Sequence, residues 1–196
     1  MIVAEQTAVA GNAVAASTLP TTLTTVEEFE QWERQHPHEG SYEFVRGRII
    51  PKPSMKQAEF FITSFLTRLF VRTEAYQQRS ELLPEADSYI DGVRKRVPDL
   101  AFFSKQQLDA VRQGERVSSV FPIEILSESE SHQEVLDKVQ DYFDAGAQVV
   151  WYIIPESRKI TVYTSPDDSH AYKGQDVISA APIVPDFQFT VADLFA

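Results

Sequence analysis

The clearest repeating pattern of apolar residues lies between positions 58 and 70. Apolar side chains recur there at intervals of three and four residues, at Ala58, Phe61, Ile62, Phe65, Leu66, Leu69 and Phe70. An α-helix has about 3.6 residues per turn, so this spacing places these side chains along one face. We therefore predict a long helix whose apolar face packs against the core.

Two further helices are predicted from signals at their ends. Thr25 with Glu28, and Ser131 with Glu134, have the spacing of capping boxes, in which each side chain accepts a hydrogen bond from the other residue's backbone N–H. The first helix is expected to be short. The second is longer, and Gly146 is well placed to end it.

Strands are predicted where apolar residues are continuous or alternate with polar ones. The predicted strands cover residues 41–45, 48–50, 88–90, 97–103, 120–126, 149–154 and 159–164. The first four form two hairpins, with turns at Arg46-Gly47 and Asp91-Gly92. The segments at 120–126 and 149–154 enclose the second capped helix, which makes a βαβ unit with parallel strands. The predicted fold class is therefore α/β, with a mixed β-sheet flanked by helices.

Length and composition favour one domain preceded by an arm. The chain has 196 residues, and its hydrophobic fraction of 43% is ordinary for a globular protein. Its start is rich in Ala, Val and Thr, so residues 1–23 are predicted to be a loose arm and residues 24–196 the domain. We expect a neighbouring subunit to hold the arm, which makes a homodimer the predicted assembly.

The chain has no segment that predicts a membrane partner. No apolar run approaches the ~20 residues of a membrane-spanning helix. The N-terminal segment also lacks the Lys or Arg of a secretory signal. The expected location is therefore the cytoplasm.

The absence of cysteine and the acidic balance restrict the chemistry. Without cysteine there is no disulfide, no cysteine-based zinc site and no thiol nucleophile. A bound metal would have carboxylate, carbonyl or histidine ligands, which suit hard cations such as Mg²⁺ or Mn²⁺. The net charge of −11 argues against non-specific binding of nucleic acid through a basic surface. It leaves open a local basic groove or phosphate contacts bridged by a metal.

Three carboxylates interrupt strands that are otherwise largely apolar: Glu43, Asp99 and Glu124. A carboxylate in such a position is costly unless it is paired, hydrogen-bonded or bound to metal, so these three are candidate site residues. Each also has a purely structural interpretation. Asp99 could hold the turn after Pro98, Glu124 could face solvent, and Glu43 could lie on an exposed edge strand.

The basic residues also allow two interpretations. Lys138 could form an ordinary ion pair with Glu134, one helical turn earlier, or it could reach a functional site. The run Arg94-Lys95-Arg96 could contact a phosphate backbone, but such a run is more typical of a solvated hairpin.

Several short motifs occur along the chain in a characteristic order. They are Tyr42-Glu43 with Gly47, Val97-Pro98-Asp99-Leu100, Glu124-Ile125-Leu126-Ser127 followed by Ser129, Lys138 with Tyr142, and Ala145-Gly146 followed by Trp151 and Pro155. Together they resemble a bacterial restriction-endonuclease-like family of the PD-(D/E)XK superfamily, which is especially abundant in cyanobacteria. The resemblance extends from about residue 24 to residue 195, nearly the whole chain.

The resemblance implies a restriction-endonuclease-like fold and Mg²⁺- or Mn²⁺-dependent hydrolysis of phosphodiester bonds in nucleic acid, DNA in particular. Asp99 and Glu124 would be the two central metal ligands and Glu43 an accessory ligand. In the superfamily motif a catalytic lysine follows the second acid by two residues, a position that Leu126 occupies here. In this family the lysine lies on the following helix, which gives that role to Lys138.

Several positions depart from the family pattern. Glu128 stands where many members have proline, and Glu128 and Glu130 add two carboxylates beside the proposed site, where they would repel a phosphate. These departures keep a second interpretation open. The chain could be a nuclease-fold protein with a weakened site that serves as an oligomeric binding or regulatory module.

Overall fold

The computed structural model describes residues 19–37, 40–54, 56–126 and 130–196. Most of the predicted arm, and the motif residues Ser127, Glu128 and Ser129, lie outside these ranges. Within them, no helix combines the length and the apolar character needed to cross a membrane.

The described residues form six helices. Their bounds are α1 Val26–Gln35, α2 Gln57–Phe70, α3 Glu74–Gln77, α4 Lys105–Arg112, α5 His132–Asp144 and α6 Val191–Leu194. The predicted capping boxes of α1 and α5 are both present, at Thr25 and Ser131. Gly146 follows α5 with a φ of +93°, which glycine adopts without strain, and the helix ends there as predicted.

The strands are arranged in three sheets. Their bounds are β1 Ser41–Val45, β2 Arg48–Lys52, β3 Glu81–Pro84, β4 Ser88–Asp91, β5 Arg94–Arg96, β6 Leu100–Phe103, β7 Phe121–Ile125, β8 Val150–Ile154, β9 Lys159–Ser165, β10 Asp168–Lys173, β11 Val177–Ala180 and β12 Val184–Thr190. A six-stranded sheet has the order β10-β9-β8-β7-β6-β3, a four-stranded sheet has the order β2-β1-β5-β4, and β11 pairs with β12.

The six-stranded sheet is mixed and has helices on both faces. Strands β7 and β8 are parallel and are connected by α5, which confirms the βαβ unit, whereas the other neighbours are antiparallel. Successive side chains of β8 point to opposite faces. Trp151 therefore packs in the core with α2 and α6, while Tyr152 packs with α5. The predicted α/β fold with a mixed sheet flanked by helices is confirmed.

The buried face of α2 is shorter than its sequence pattern predicts. Ile62, Leu66 and Phe70 lie in the main core, but Phe61 is 61% exposed, so its predicted burial is wrong. The side chain of Ala58 lies outside the described ones. No described side chain of α2 before Ile62 is buried, which means that the first turn of the helix projects past the core.

The basic run at positions 94–96 is a buried strand, not a solvated hairpin. Arg94, Lys95 and Arg96 are 9%, 1% and 5% exposed, and β5 lies between β1 and β4. Carboxylates surround these side chains, and Arg96 pairs with both Glu43 and Asp141. Ion pairing from distant segments therefore makes burial of the three cations possible.

The second predicted hairpin is wrong in one respect. Strand β4 ends at Asp91 and turns through Gly92 and Val93, but its partner is β5, whereas β6 belongs to the six-stranded sheet. Pro98 separates β5 from β6, and proline cannot donate a hydrogen bond to a strand ladder. The chain crosses from one sheet to the other at residues 97–99, which we name the crossing segment.

Candidate functional site

A cleft of about 380 Å³ lies between β1 and β2 on one side and β7 and α5 on the other. Glu43, Asp99, Glu124 and Lys138 all line it, so the structure brings the four predicted site residues together. We name it the carboxylate cleft, after Glu43, Asp99 and Glu124. Each carboxylate comes from a different place in the fold: β1, the crossing segment and β7.

Asp99 is fixed in the cleft by bonds to both of its carboxylate oxygens. The backbone N–H of Ile125 donates to Oδ2 at 2.6 Å, which ties the crossing segment to β7. The Lys52 ammonium donates to Oδ1 at 2.7 Å. The Asp99 carboxylate thus joins the crossing segment to β7 and β2, and it also faces the cleft.

Glu124 is the penultimate residue of β7 and is only 2% exposed, so it does not face solvent. The Tyr142 hydroxyl of α5 donates to its Oε1 at 2.5 Å, and Lys138 Nζ is 3.6 Å from the same oxygen. Burial raises the pKa of Glu124 to about 7. The positive charge of Lys138 acts to lower this pKa, whereas the negative charge of Asp99 acts to raise it. The Glu124 carboxyl group therefore gains and loses its proton near neutral pH.

Glu43 is a buried residue of β1 whose two oxygens both accept hydrogen bonds. Arg96 Nη1 donates to Oε2 at 2.8 Å, and the Val97 N–H donates to Oε1 at 3.1 Å. Burial alone would raise the pKa of Glu43, but Lys138, Arg96 and the Val97 N–H lower it further than burial raises it. Glu43 is therefore anionic and firmly held.

Lys138 extends from the second turn of α5 into the cleft. Its ammonium is 2.8 Å from Glu130 Oε1 and lies beside Glu124. Burial would lower its pKa, but Glu124 and Glu43 raise the pKa above its usual value, so Lys138 carries a charge. Glu134 instead accepts the N–H of Ser131 at 2.7 Å, as its capping role predicts.

Lys52, at the end of β2, is a cleft residue that the sequence reasoning missed. It donates to Asp99 and, at 2.8 Å, to the carbonyl oxygen of Val97. Burial would lower the pKa of Lys52, but Glu124 and Asp99 raise it more. Strand alternation is the one signal that could have found it, because Ile50 pairs with Glu43 and Lys52 follows Ile50 by two residues.

Arg96 connects the cleft to α5. It donates to Glu43 and also to Asp141 Oδ2, at 2.6 Å from Nη2. Asp141 lies one helical turn after Lys138, so the same ion pairs that hold Glu43 also fix the helix that carries the lysine. The acids of the cleft and its lysine are thus parts of one buried charge network.

The donor groups of the cleft suit a hard divalent cation. Asp99 and Glu124 supply carboxylate oxygens and Val97 a carbonyl oxygen, the ligand types that Mg²⁺ and Mn²⁺ prefer. The Lys52 ammonium lies between Asp99 Oδ1 and the Val97 carbonyl oxygen, so these two oxygens already face a positive charge. Among the described residues, however, no three His, Asp or Glu side chains are arranged as a ready metal site. Glu43 fits less well, because Arg96 and Val97 engage both of its oxygens.

Comparisons with known proteins agree with the motifs and the fold. The family model Uma2, described as "Putative restriction endonuclease", matches residues 26–192. A crystal structure described as that of "a putative nuclease belonging to DUF820", from Anabaena variabilis, superposes with a TM-score of 0.72. It is 19% identical, and the match covers 87% of this chain and 97% of that one, so the likeness shows the fold alone. No protein among those with curated functions matches the chain.

The family match covers residues 26–192, and these include all four predicted site residues. It confirms the restriction-endonuclease-like family that the ordered motifs indicate. The chain therefore belongs to the Uma2 family of restriction-endonuclease-like proteins.

Proposed function

We propose that this protein is an endonuclease that hydrolyses phosphodiester bonds of DNA with Mg²⁺ or Mn²⁺. One observation carries the proposal: Asp99, Glu124 and Lys138 meet in one cleft. They come from the crossing segment, β7 and α5, so residues far apart in sequence converge on one place. Membership of a restriction-endonuclease-like family supports a nuclease function for this cleft.

In this proposal Asp99 and Glu124 hold the cation, with Glu43 as an accessory ligand. When bound, the cation supplies Lewis-acid polarisation of the phosphate and lowers the pKa of a water molecule. The Ile125 N–H orients Asp99, and the Tyr142 hydroxyl orients Glu124. Both carboxylates are therefore fixed by rigid elements before a substrate arrives.

Lys138 would stabilise negative charge on the phosphate during cleavage. Its ammonium is largely buried and is held within the cleft by Glu124 and Glu130. A preorganised cation in a site with little water stabilises developing charge strongly. Arg48, which is exposed on β2 at the same cleft, would contact a neighbouring phosphate of the backbone.

A second function, a non-catalytic binding or regulatory module, is favoured by one observation. Lys138 Nζ is closer to Glu130 Oε1, at 2.8 Å, than to Glu124 Oε1, at 3.6 Å. A carboxylate in this place neutralises the lysine and repels an incoming phosphate. In this alternative the carboxylate cleft no longer catalyses phosphodiester hydrolysis, although the fold is retained.

We further propose that the protein is a homodimer. Phe60 and Phe61 on α2 are each 61% exposed and form an edge-to-face ring pair. Aromatic side chains are more frequent at interfaces between subunits than on the rest of a protein surface. Light scattering of the purified protein should give twice the chain mass, and the double substitution Phe60→Ser, Phe61→Ser should give the monomer mass. A monomeric wild type would remove this proposal.

Cleavage of supercoiled plasmid DNA by the purified protein tests the proposed function. Cleavage should require Mg²⁺ or Mn²⁺, and Asp99→Asn should abolish it. Lys138→Ala should lower the rate by about 10²–10³-fold, the typical cost of losing one preorganised charge-stabilising donor.

Asp137→Asn is the matched control for Asp99→Asn. Asp137 lines the same cleft but is exposed, and its carboxylate bonds to Gln133 on the same helix. This variant should cleave at nearly the wild-type rate. If both substitutions left cleavage unchanged, the activity would arise elsewhere; if the wild type failed to cleave with either cation, the non-catalytic function would be favoured.

A further inference from the structure

Lys52 is the last residue of an edge strand, and its ammonium lies inside the carboxylate cleft. Its Nζ is 2.7 Å from Asp99 Oδ1 and 2.8 Å from the carbonyl oxygen of Val97. The side chain is 10% exposed, so this is a largely buried ion pair. A lysine therefore already bonds to one of the two carboxylates that the proposed function assigns to the cation.

The groups that bind the ammonium are the same groups that would bind a divalent cation. A carboxylate and a backbone carbonyl are hard oxygen donors of the kind that Mg²⁺ and Mn²⁺ use. Two cations that share these donors would repel each other strongly in a buried place. The other oxygen of Asp99, Oδ2, already accepts the Ile125 N–H at 2.6 Å, so a cation bound there would share that oxygen with a fixed donor of β7.

We propose that Lys52 is a tethered cation that occupies the Asp99 side of the cleft, and that a divalent cation binds there by displacing it. This inference rests on the cation site of the proposed function. Lysine suits the role, because its charge lies at the end of a flexible four-carbon chain that can turn aside and remain in the cleft. Lys52 then sets the affinity for the divalent cation. Once displaced, the Lys52 ammonium provides a positive charge beside the phosphate. Leu126, at the position of the superfamily's catalytic lysine, provides none.

A titration of the full chain with Mn²⁺ tests the inference without any cleavage. The electron paramagnetic resonance signal of the free ion reports how much Mn²⁺ is bound. Lys52→Met removes the competing cation and should tighten Mn²⁺ binding about tenfold or more. Lys56→Met is the matched control, since Lys56 lines the same cleft but is exposed. It removes the same charge without touching Asp99 and should change the affinity much less. Equal effects of the two substitutions, or weaker binding by Lys52→Met, would overturn the proposal.

Two further variants keep the test decisive if Lys52→Met folds poorly. Lys52→Arg retains the charge and adds a second donor for Asp99, so it should weaken Mn²⁺ binding. The double variant Lys52→Met, Asp99→Asn removes both partners, so it should recover thermal stability relative to Lys52→Met but bind no Mn²⁺ in the cleft. An affinity in Lys52→Arg equal to or tighter than that of the wild type would contradict the proposal.

The binding test can fail independently of the proposed function. If the wild type cleaves DNA in a manner that requires Asp99, but Lys52→Met binds Mn²⁺ no more tightly, the inference fails and the function stands. If Lys52→Met binds Mn²⁺ more tightly but no variant cleaves DNA, the inference stands and the nuclease function fails.

Discussion

Among single residues, Tyr142 and Tyr152 are both buried next to Glu124 but differ in what their hydroxyl groups contact. Tyr142 donates to Glu124 Oε1 at 2.5 Å. Tyr152 pairs with Glu124 across β7 and β8, yet its hydroxyl has no hydrogen-bond partner among the described residues. A hydrogen bond to a carboxylate stabilises the fold, whereas a buried hydroxyl without a partner destabilises it.

Removing the hydroxyl group of Tyr142 and removing that of Tyr152 should therefore affect the free energy of unfolding differently. Tyr142→Phe should lower the free energy of unfolding by about 1–3 kcal/mol, because Glu124 loses a buried donor. Tyr152→Phe should leave this free energy unchanged or raise it. Urea denaturation of the two variants in the same buffer measures the difference. Similar losses in both variants would show that the bond to Glu124 is not the source of the stabilisation.

The residues of the cleft also show what sequence reasoning can and cannot find. Glu43, Asp99 and Glu124 stand out, because an acid inside an apolar strand needs a partner that the local sequence does not provide. Lys52 gives no such signal, since it is a lysine flanked by two prolines, where the sequence predicts the end of the strand. Its partner Asp99 is 47 positions away, so only the folded chain reveals the pair.

Among the elements, β5 and α5 are connected mainly by charge. Arg94 Nη1 is 2.6 Å from Asp141 Oδ1, and Arg96 Nη2 is 2.6 Å from Asp141 Oδ2. These distances place one carboxylate of α5 between two guanidinium groups of β5. The ion pairs thus set the position of the helix that provides Lys138 and Tyr142 to the cleft.

Breaking this connection should be far more costly than breaking an exposed ion pair. Arg96→Met leaves the buried Glu43 without its guanidinium partner and leaves Asp141 with Arg94 alone of its two guanidinium partners. It should lower the free energy of unfolding by about 3–5 kcal/mol. Lys105→Met, which breaks the exposed pair with Asp109 on α4, should change it very little. Urea denaturation compares the two. A small effect for Arg96→Met would mean that apolar packing alone positions α5.

Some of these elements could be predicted from neighbouring residues in the sequence, and one could not. The helix at α5 and the strands β7 and β8 follow from caps and apolar runs, which are properties of neighbouring residues. The burial of β5 does not, because its cations are neutralised mainly by acids that arrive from α5, β1 and α1. A basic run is typical of a surface unless such distant partners exist, and the sequence gives no direct sign of them.

For the whole molecule, the distribution of charge is more informative than its sum. The net charge is −11, and several of the cations that offset it are largely inside the protein. These interior cations are Lys52, Arg94, Lys95, Arg96 and Lys138. The exterior is therefore even poorer in basic side chains than the sequence indicates. In the proposed function, a phosphate backbone must be recognised at the cleft, not across a broad basic surface.

Anomalous diffraction from crystals of the wild-type protein soaked in Mn²⁺ is the most direct test of the claim that the carboxylate cleft is a divalent cation site. We expect an anomalous peak in contact with the carboxylates of Asp99 and Glu124, with the Lys52 ammonium moved away from Asp99 Oδ1. Crystals of Asp99→Asn should show no peak there. If the cleft held no Mn²⁺ at saturating concentration and Lys52 were still bonded to Asp99, the carboxylate cleft would not be a divalent cation site.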